Sequence, residues 1–154
     1  MAFMSENDAL SGKMAKAFVT ISGNVHELFY AKTGEVTVEK NKTDVPVLGK
    51  TNVGKKSTGW NGTGTLTVYY ISSLFRQLMI DYIKTGRDFE FDLQIVNDDP
   101  SSTVGKQTVI ARNCNLDSMT LAKFDATSDD PLDEELPFSF TDADLLGSFN
   151  APQQ

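Results

Sequence analysis

His26 and Cys114 are the only imidazole and the only thiol in the chain. A His/Cys metal site or a thiol–imidazole nucleophile pair would therefore need these two residues to meet. Ser and Asp are plentiful, but a Ser-His-Asp triad would rest on His26, which sits in a run with strand character, and no nucleophile-elbow sequence occurs. The simplest reading of His26 is a surface residue. The acids Asp129, Asp130, Asp133, Glu134 and Glu135 offer oxygen ligands for calcium, yet they lack the glycine and the spacing of a calcium loop. They read as a solvated acidic turn. The glycines of GWNGTG (59–64) resemble those of a phosphate cradle. Such loops follow a strand and open a helix with Lys beside Ser or Thr, whereas this one opens a strand. Lys42, Lys50, Lys55 and Lys56 with Trp60 form a basic, aromatic set suited to single-stranded nucleic acid. None of these is a catalytic constellation, so the chain reads as a non-enzyme with no cofactor and no metal.

The charge distribution argues against nucleic-acid binding and leaves two readings open, solvated faces that keep the protein soluble or self-complementary surfaces. The net charge of −7 argues against general affinity for phosphate backbones. Residues 1–77 carry 9 Lys+Arg and 6 Asp+Glu, and residues 78–154 carry 5 and 15. A basic surface and an acidic surface on one subunit allow copies to bind head to tail, a contact that generates rings or filaments.

At 154 residues the chain reads as one domain, 1–154, able to bury a core without staples. A lone cysteine and the lack of a long apolar run predict a soluble protein made in a reducing compartment. The elements follow from periodicity. Residues 1–15 show no period and read as a flexible N-terminal arm. AFVTIS (17–22) sets Val19 and Ile21 against Phe18, Thr20 and Ser22, with a turn at Gly23–Asn24. GEVTVEKNKT sets Val36 and Val38 against Glu35, Thr37 and Glu39. From Thr43 to Gly64 the composition (five Gly, three Lys, Pro46) predicts a long loop, with the apolar Val45, Val47, Leu48, Val53 and a displayed Trp60 arguing for function rather than disorder.

TLTVYYI (65–71) reads as a strand running directly into a helix from Leu74 to Lys84, started by Ser72 or Ser73 and ended by Gly86. Leu74, Leu78, Met79 and Tyr82 mark its packed face, and Arg76, Gln77, Asp81 and Lys84 its polar one. DFEFDLQIV alternates cleanly, QTVIARNCNL and DSMTLAKFD read as an antiparallel pair, and ELPFSFTDA as a last strand. Residues 147–154 read as a frayed tail. Seven or eight strands and one helix predict a mainly β fold: an antiparallel β-sandwich or partly closed β-barrel with one packed α-helix.

Five segments taken together resemble the tail tube protein of PBSX-like prophages, contractile-tailed phages and contractile bacteriocins. They are VEKNKTDVPVLGK (38–50), KKSTGWNGTGTLTVYY (55–70), LMIDYIKTG (78–86), NDDPSS (97–102) and EELPFSFTDADL (134–145). The order and spacing of the set carry the likeness, from about residue 34 onward. The resemblance implies a structural subunit that forms six-membered rings stacked as the inner tube of a contractile tail or tail-like bacteriocin, the conduit into the target cell. It also implies assembly in the bacterial cytoplasm. Implied partners are further copies of itself, the tail sheath protein, and the baseplate and tape-measure proteins, with DNA only as transient cargo in a phage. In similar proteins the subunits' sheets join into a lumen-facing barrel, while a long loop and the N-terminal arm reach the next ring.

On that reading the ring-stacking loop is 43–64, with Val45, Leu48, Lys50, Val53, Lys55, Lys56, Trp60 and Asn61 as its contacts. Glu35, Thr37, Glu39, Thr65 and Thr67 are the candidate lumen-facing residues, with Glu90, Asp92 and Gln94 as rivals. The alternative function is a monomeric carbohydrate- or nucleic-acid-binding β-barrel.

Overall fold

A computed structural model describes residues 6, 10 and 12–150. The described residues are mainly β with one α-helix. A 3-10 turn at Gly12–Met14 leads into β1 (Ala15–Ile21), β2 (Asn24–Glu27), β3 (Ala31–Val45) and β4 (Gly54–Tyr69). Then come α1 (Leu74–Thr85), β5 (Phe91–Asp98), β6 (Lys106–Leu116), β7 (Asp133–Phe140) and β8 (Asp142–Gly147). All pairings are antiparallel, in the order β2-β1-β5-β6-β7-β4-β3, and the sheet is not closed.

β6 is the pivot. Along most of its length it is flanked by β5 and β8, but at Asn115 and Leu116 it pairs with Ser139 and Phe138 of β7. β7 in turn pairs over its whole length with β4. The chain from 133 to 147 thus serves one half of the sheet before Thr141 and the other half after it. Asn113, at φ +55, marks a bulge in β6 where the sheet bends. The two halves fold over a core of Val19, Leu66, Val68, Phe91, Leu93, Cys114, Leu136 and Phe138. These are the inward members of alternating runs, and burying them is the main favourable term in folding.

α1 closes one side of this core. Phe75 is buried, with its ring 5.4 Å from that of Phe91, and Leu74, Leu78 and Met79 pack beside it. Gly86, at φ +72, ends the helix with its N–H donating to Tyr82 O at 2.8 Å. At the start, Ser72 Oγ accepts from the Leu74 N–H at 3.3 Å, while Ser73 occupies the cap position without a side-chain bond. Tyr82 and Ile83 are exposed, so the packed face is narrower than the periodicity suggests. Arg76, expected on the polar face, is instead drawn inward. Its guanidinium donates to Glu134 Oε2 at 2.7 Å, to Thr120 O and to Ser72 O, and lies 4.3 Å from the Tyr70 ring centre. That tie pins the helix to β7 and to the irregular segment 117–132.

Four expectations need correction. The tract 43–64 is not a loop: β3 and β4 pair from Ala31↔Val68 to Val45↔Gly54, with register shifts at Ala31/Thr33 and Asn41/Lys42, leaving only 46–53 outside the strands. Four of its five glycines sit in strand backbone, and Gly49 alone has a positive φ, so a composition typical of loops here belongs to a ribbon. Trp60 accordingly lies on β4 opposite Lys40 rather than on a loop, 6.0 Å from the Phe140 ring. DSMTLAKFD forms no strand. The tail is held as far as Asn150, whose N–H donates to Val104 O at 2.7 Å, so 147–150 is not frayed, while 151–154 lie outside the described residues. Of the proposed arm 1–15, only Glu6, Leu10 and residues 12–15 are described, and Ala15 already belongs to β1.

Candidate assembly surfaces

Two surfaces emerge from the long β3–β4 hairpin. The first is one face of its base. β4 turns Leu66 and Val68 into the core, so Thr63, Thr65 and Thr67 turn outward. Register then places Thr33, Glu35, Thr37 and Glu39 of β3 opposite Thr67, Thr65, Thr63 and Asn61. On the other side Glu135, Pro137 and Ser139 of β7 stand opposite Thr67, Thr65 and Thr63. None of these register positions carries Lys or Arg. The candidates Glu35, Thr37, Glu39, Thr65 and Thr67 therefore share one carboxylate-and-hydroxyl face.

The Thr37 hydroxyl donates to Glu35 Oε1 at 3.3 Å. A groove of about 260 Å³ runs between Glu35, Thr37, Thr63, Thr65, Pro137 and Asp117. Beside it a second groove of about 570 Å³ carries Thr67, Glu135, Asp133 and Lys123. The contributions of β7 and Asp117 were missed from sequence, although the alternation of Glu135, Pro137 and Ser139 against Leu136, Phe138 and Phe140 carried the signal. The rivals separate from this set. Asp92 and Gln94 belong to β5, opposite Thr20 and Phe18, and Asp92 Oδ1 accepts from the Asn113 N–H at the β6 bulge. Glu90 lies just before β5.

The second surface is the hairpin beyond its base. β7 pairs with β4 only over Gly62–Tyr69, so among the described residues Gly54–Asn61 and the facing half of β3 have no strand partner but each other. At the root of this ribbon, Gly62 and Gly64 are required by close approach: a Cβ at either would strike the ring of Phe140 or Phe138. Trp60 extends the same aromatic strip and is half-exposed. Asn61 Nδ2 donates to Asn41 Oδ1 at 3.4 Å, and Lys55 lies 3.6 Å from Asp44. Farther out every residue is exposed. Val45, Lys56 and Val53 flank the end, and Val47–Lys50 forms the terminal turn, closed by the Lys50 N–H donating to Val47 O at 3.2 Å. Gly49 at φ +83 gives that turn type II character, with Leu48 at its corner.

At the opposite end of the same strands lies a region that sequence reading did not find. Phe29, Tyr30, Tyr69, Tyr70, Ile71, Pro131 and Leu132 line an open apolar cleft of about 600 Å³. Beside it Lys32 donates to Asp133 Oδ2 at 3.0 Å, which holds the Asp133 carboxyl below the usual range and raises the ammonium. His26 is an exposed residue of the edge strand β2, opposite Val19 of β1, and Cys114 is buried in the core. The thiol donates to Ala111 O, and burial pushes its pKa up to about 12. Of the acidic turn, Glu134 is tied to Arg76 and Asp133 to Lys32.

Comparison with known proteins agrees with this architecture. A family model described as phage tail tube protein matches residues 2–147. The phage-like element PBSX protein XkdM of Bacillus subtilis (strain 168) is 43% identical over 145 residues, covering 94% of this chain and 95% of that one. Among solved structures, a chain of the anti-feeding prophage tube-terminating cap superposes with a TM-score of 0.69 at 14% identity, covering 96% of this chain and 95% of its own. A chain of the sheath–tube complex of an extracellular contractile injection system gives 0.61 at 16% identity, over 86% and 88%. At such identities these two likenesses concern the fold alone.

Proposed function

The chain belongs to the phage tail tube protein family, and on that premise we propose that it assembles into hexameric rings stacked as the inner tube of a contractile tail or tail-like particle. The observation that carries this reading is the projecting ribbon. A two-stranded ribbon is marginally stable alone in water, and this one displays apolar residues along its length and at its tip, so it needs a partner surface to order it. The open sheet edges call for the same remedy, since unpaired strand edges are templates for association.

In this reading the face bearing Glu35, Thr37, Glu39, Thr65 and Thr67 lines the lumen. A face on which carboxylates and hydroxyls outnumber the single Lys123 at its side repels phosphate and gives bases little apolar surface to adhere to, as a conduit for nucleic acid requires. The ribbon, through residues from Val45 to Asn61, joins one ring to the next, and sheath and baseplate proteins meet the outer wall.

Negative-stain microscopy of the purified protein at rising concentration tests the assembly, with six-fold rings and tubes expected. A particle that stays a 16.9 kDa monomer throughout would sink it in favour of a monomeric binding barrel. Removing residues 43–56, which begin and end on the pair Thr43↔Lys56, and closing the gap with a two-residue Gly turn should leave a folded subunit that forms no long tubes. Normal tubes from that variant would remove the ribbon from stacking. Changing Glu35 and Glu39 to Lys should leave assembly intact while making the lumen retain DNA, and unaltered DNA binding by such tubes would place these carboxylates elsewhere.

A further inference from the structure

Resting on the tube reading, we propose that the hairpin tip of one copy docks in the apolar cleft at the opposite end of a second copy, with Leu48 as the inserted residue. The two surfaces are the two poles of the same pair of strands. β4 runs from Gly54, beside the tip, to Tyr69, in the wall of the cleft. Sixteen strand residues at roughly 3.3 Å each separate them by about 50 Å. No subunit can therefore satisfy its own tip, and a translation along the strands brings one copy's tip to the next copy's cleft. That contact is heterologous and does not close on itself in the strand direction, so it propagates a stack.

Chemistry matches at both poles. Leu48 stands at the corner of the terminal turn and is fully exposed, with Val47 and Val53 beside it. The cleft presents Phe29 at 81% and Ile71 at 68% exposure, a large apolar area for a monomer surface to leave uncovered. Charge is complementary too. Residues 40–56 contain five lysines (40, 42, 50, 55 and 56) and one acid, Asp44. Of the seven acids in residues 117–135, the segment that supplies Pro131 and Leu132 to the cleft, Asp133 and Glu134 are held by Lys32 and Arg76, and Asp117 and Glu135 line the grooves of the other face. Asp129 and Asp130 sit exposed immediately before Pro131. The charges orient the approach and the apolar insertion provides the hold.

The test uses the full chain. Cys114 is buried, so cysteines placed at Leu48→Cys and Ile71→Cys in one chain are the reactive pair. Oxidising assembled tubes of this double variant should yield a ladder of disulfide-linked multimers, absent from either single variant. Independently, Leu48→Asp and Ile71→Asp should each lower sedimentable polymer by roughly tenfold or more. Ile83→Asp, an equally exposed position on α1, should leave it unchanged. Tubes that assemble without a ladder, or an Ile83→Asp defect as large as the other two, overturn the docking while leaving the conduit intact. If the unmodified chain forms neither rings nor tubes, the conduit reading and the docking fall together.

Discussion

β4 is two strands in one. From Gly62 to Tyr69 it has neighbours on both edges, Leu66 and Val68 in the core, and aromatic rings laid over its glycines. From Gly54 to Asn61 it has, among the described residues, a single neighbouring strand and no core side chain. The same covalent strand is thus a load of buried apolar area at one end and a display of uncommitted surface at the other. Stability concentrates where burial does, so the base specifies the fold while the ribbon is free to answer to another copy. Matched substitutions in the two halves turn this contrast into measurements.

The largest difference lies between two ion pairs. Arg76–Glu134 ties the helix to the base, with side chains 11% and 3% exposed, whereas Lys55–Asp44 spans the ribbon with both side chains more than half exposed. Arg76→Ala leaves a buried carboxylate without its partner and should cost about 3 to 5 kcal/mol. Lys55→Ala removes a screened surface pair worth about 0 to 1 kcal/mol. Chemical denaturation of each subunit reads both. A ribbon variant as costly as the base variant would show that the two halves are not energetically distinct.

The two halves also differ in how far they can be read from sequence. The base was legible: alternation in 89–95 gave β5, the i, i+4 pattern with Gly86 gave α1, and Phe138 and Phe140 marked β7 as core-facing. So was the acidic, hydroxyl-bearing face, because period 2 fixes which side a residue takes once its neighbour is buried. The ribbon was not legible, because the signal for a strand is burial on one face and its residues have none. Thr, Lys and Gly at exposed positions look the same in a loop and in a free-standing ladder. Arg76 escaped for a different reason: helical spacing assigns a face, but a buried Glu134 brought from 58 residues away decides what that face meets. The cleft of Phe29, Tyr69, Ile71 and Leu132 joins three remote segments, which no local pattern encodes.

A smaller contrast concerns two glycines of the same strand. At Gly64 an added methyl would meet the Phe138 ring and, at 2.7 Å, the carbonyl oxygen of Glu35. At Gly59 the nearest atom is Asn41 Nδ2 at 3.9 Å. Gly64→Ala should therefore overpack the base and cost about 1 to 3 kcal/mol. Gly59→Ala should stay within about 0.5 kcal/mol of the parent. Thermal melting of the unassembled subunits checks both. A neutral Gly64→Ala would mean that the rings of β7 can retreat and that the aromatic strip is looser than its packing implies.

The smallest expected effect needs no substitution, because the chain carries one natural probe in each half. Its single tryptophan, Trp60, stands on the ribbon at the edge of the base, and its single cysteine, Cys114, is buried on β6. The thiol is shielded twice. Burial denies access, and a pKa pushed up to about 12 keeps it protonated at pH 8, where a free thiol near 9 is already partly ionised. The sign follows for stability: the folded state holds this proton more tightly than the unfolded one, so its contribution is complete below pH 9 and is lost as pH rises from there toward 12. If the ribbon is held only by its own ladder, dilute unassembled subunits in rising urea should shift Trp60 fluorescence before Cys114 becomes open to a disulfide reagent at pH 8. Tube assembly should reverse that order of vulnerability by covering the ribbon. Coincident transitions in the free subunit would mean that the aromatic strip from Phe138 through Phe140 to Trp60 welds the ribbon to the base, and that the two halves of β4 unfold as one.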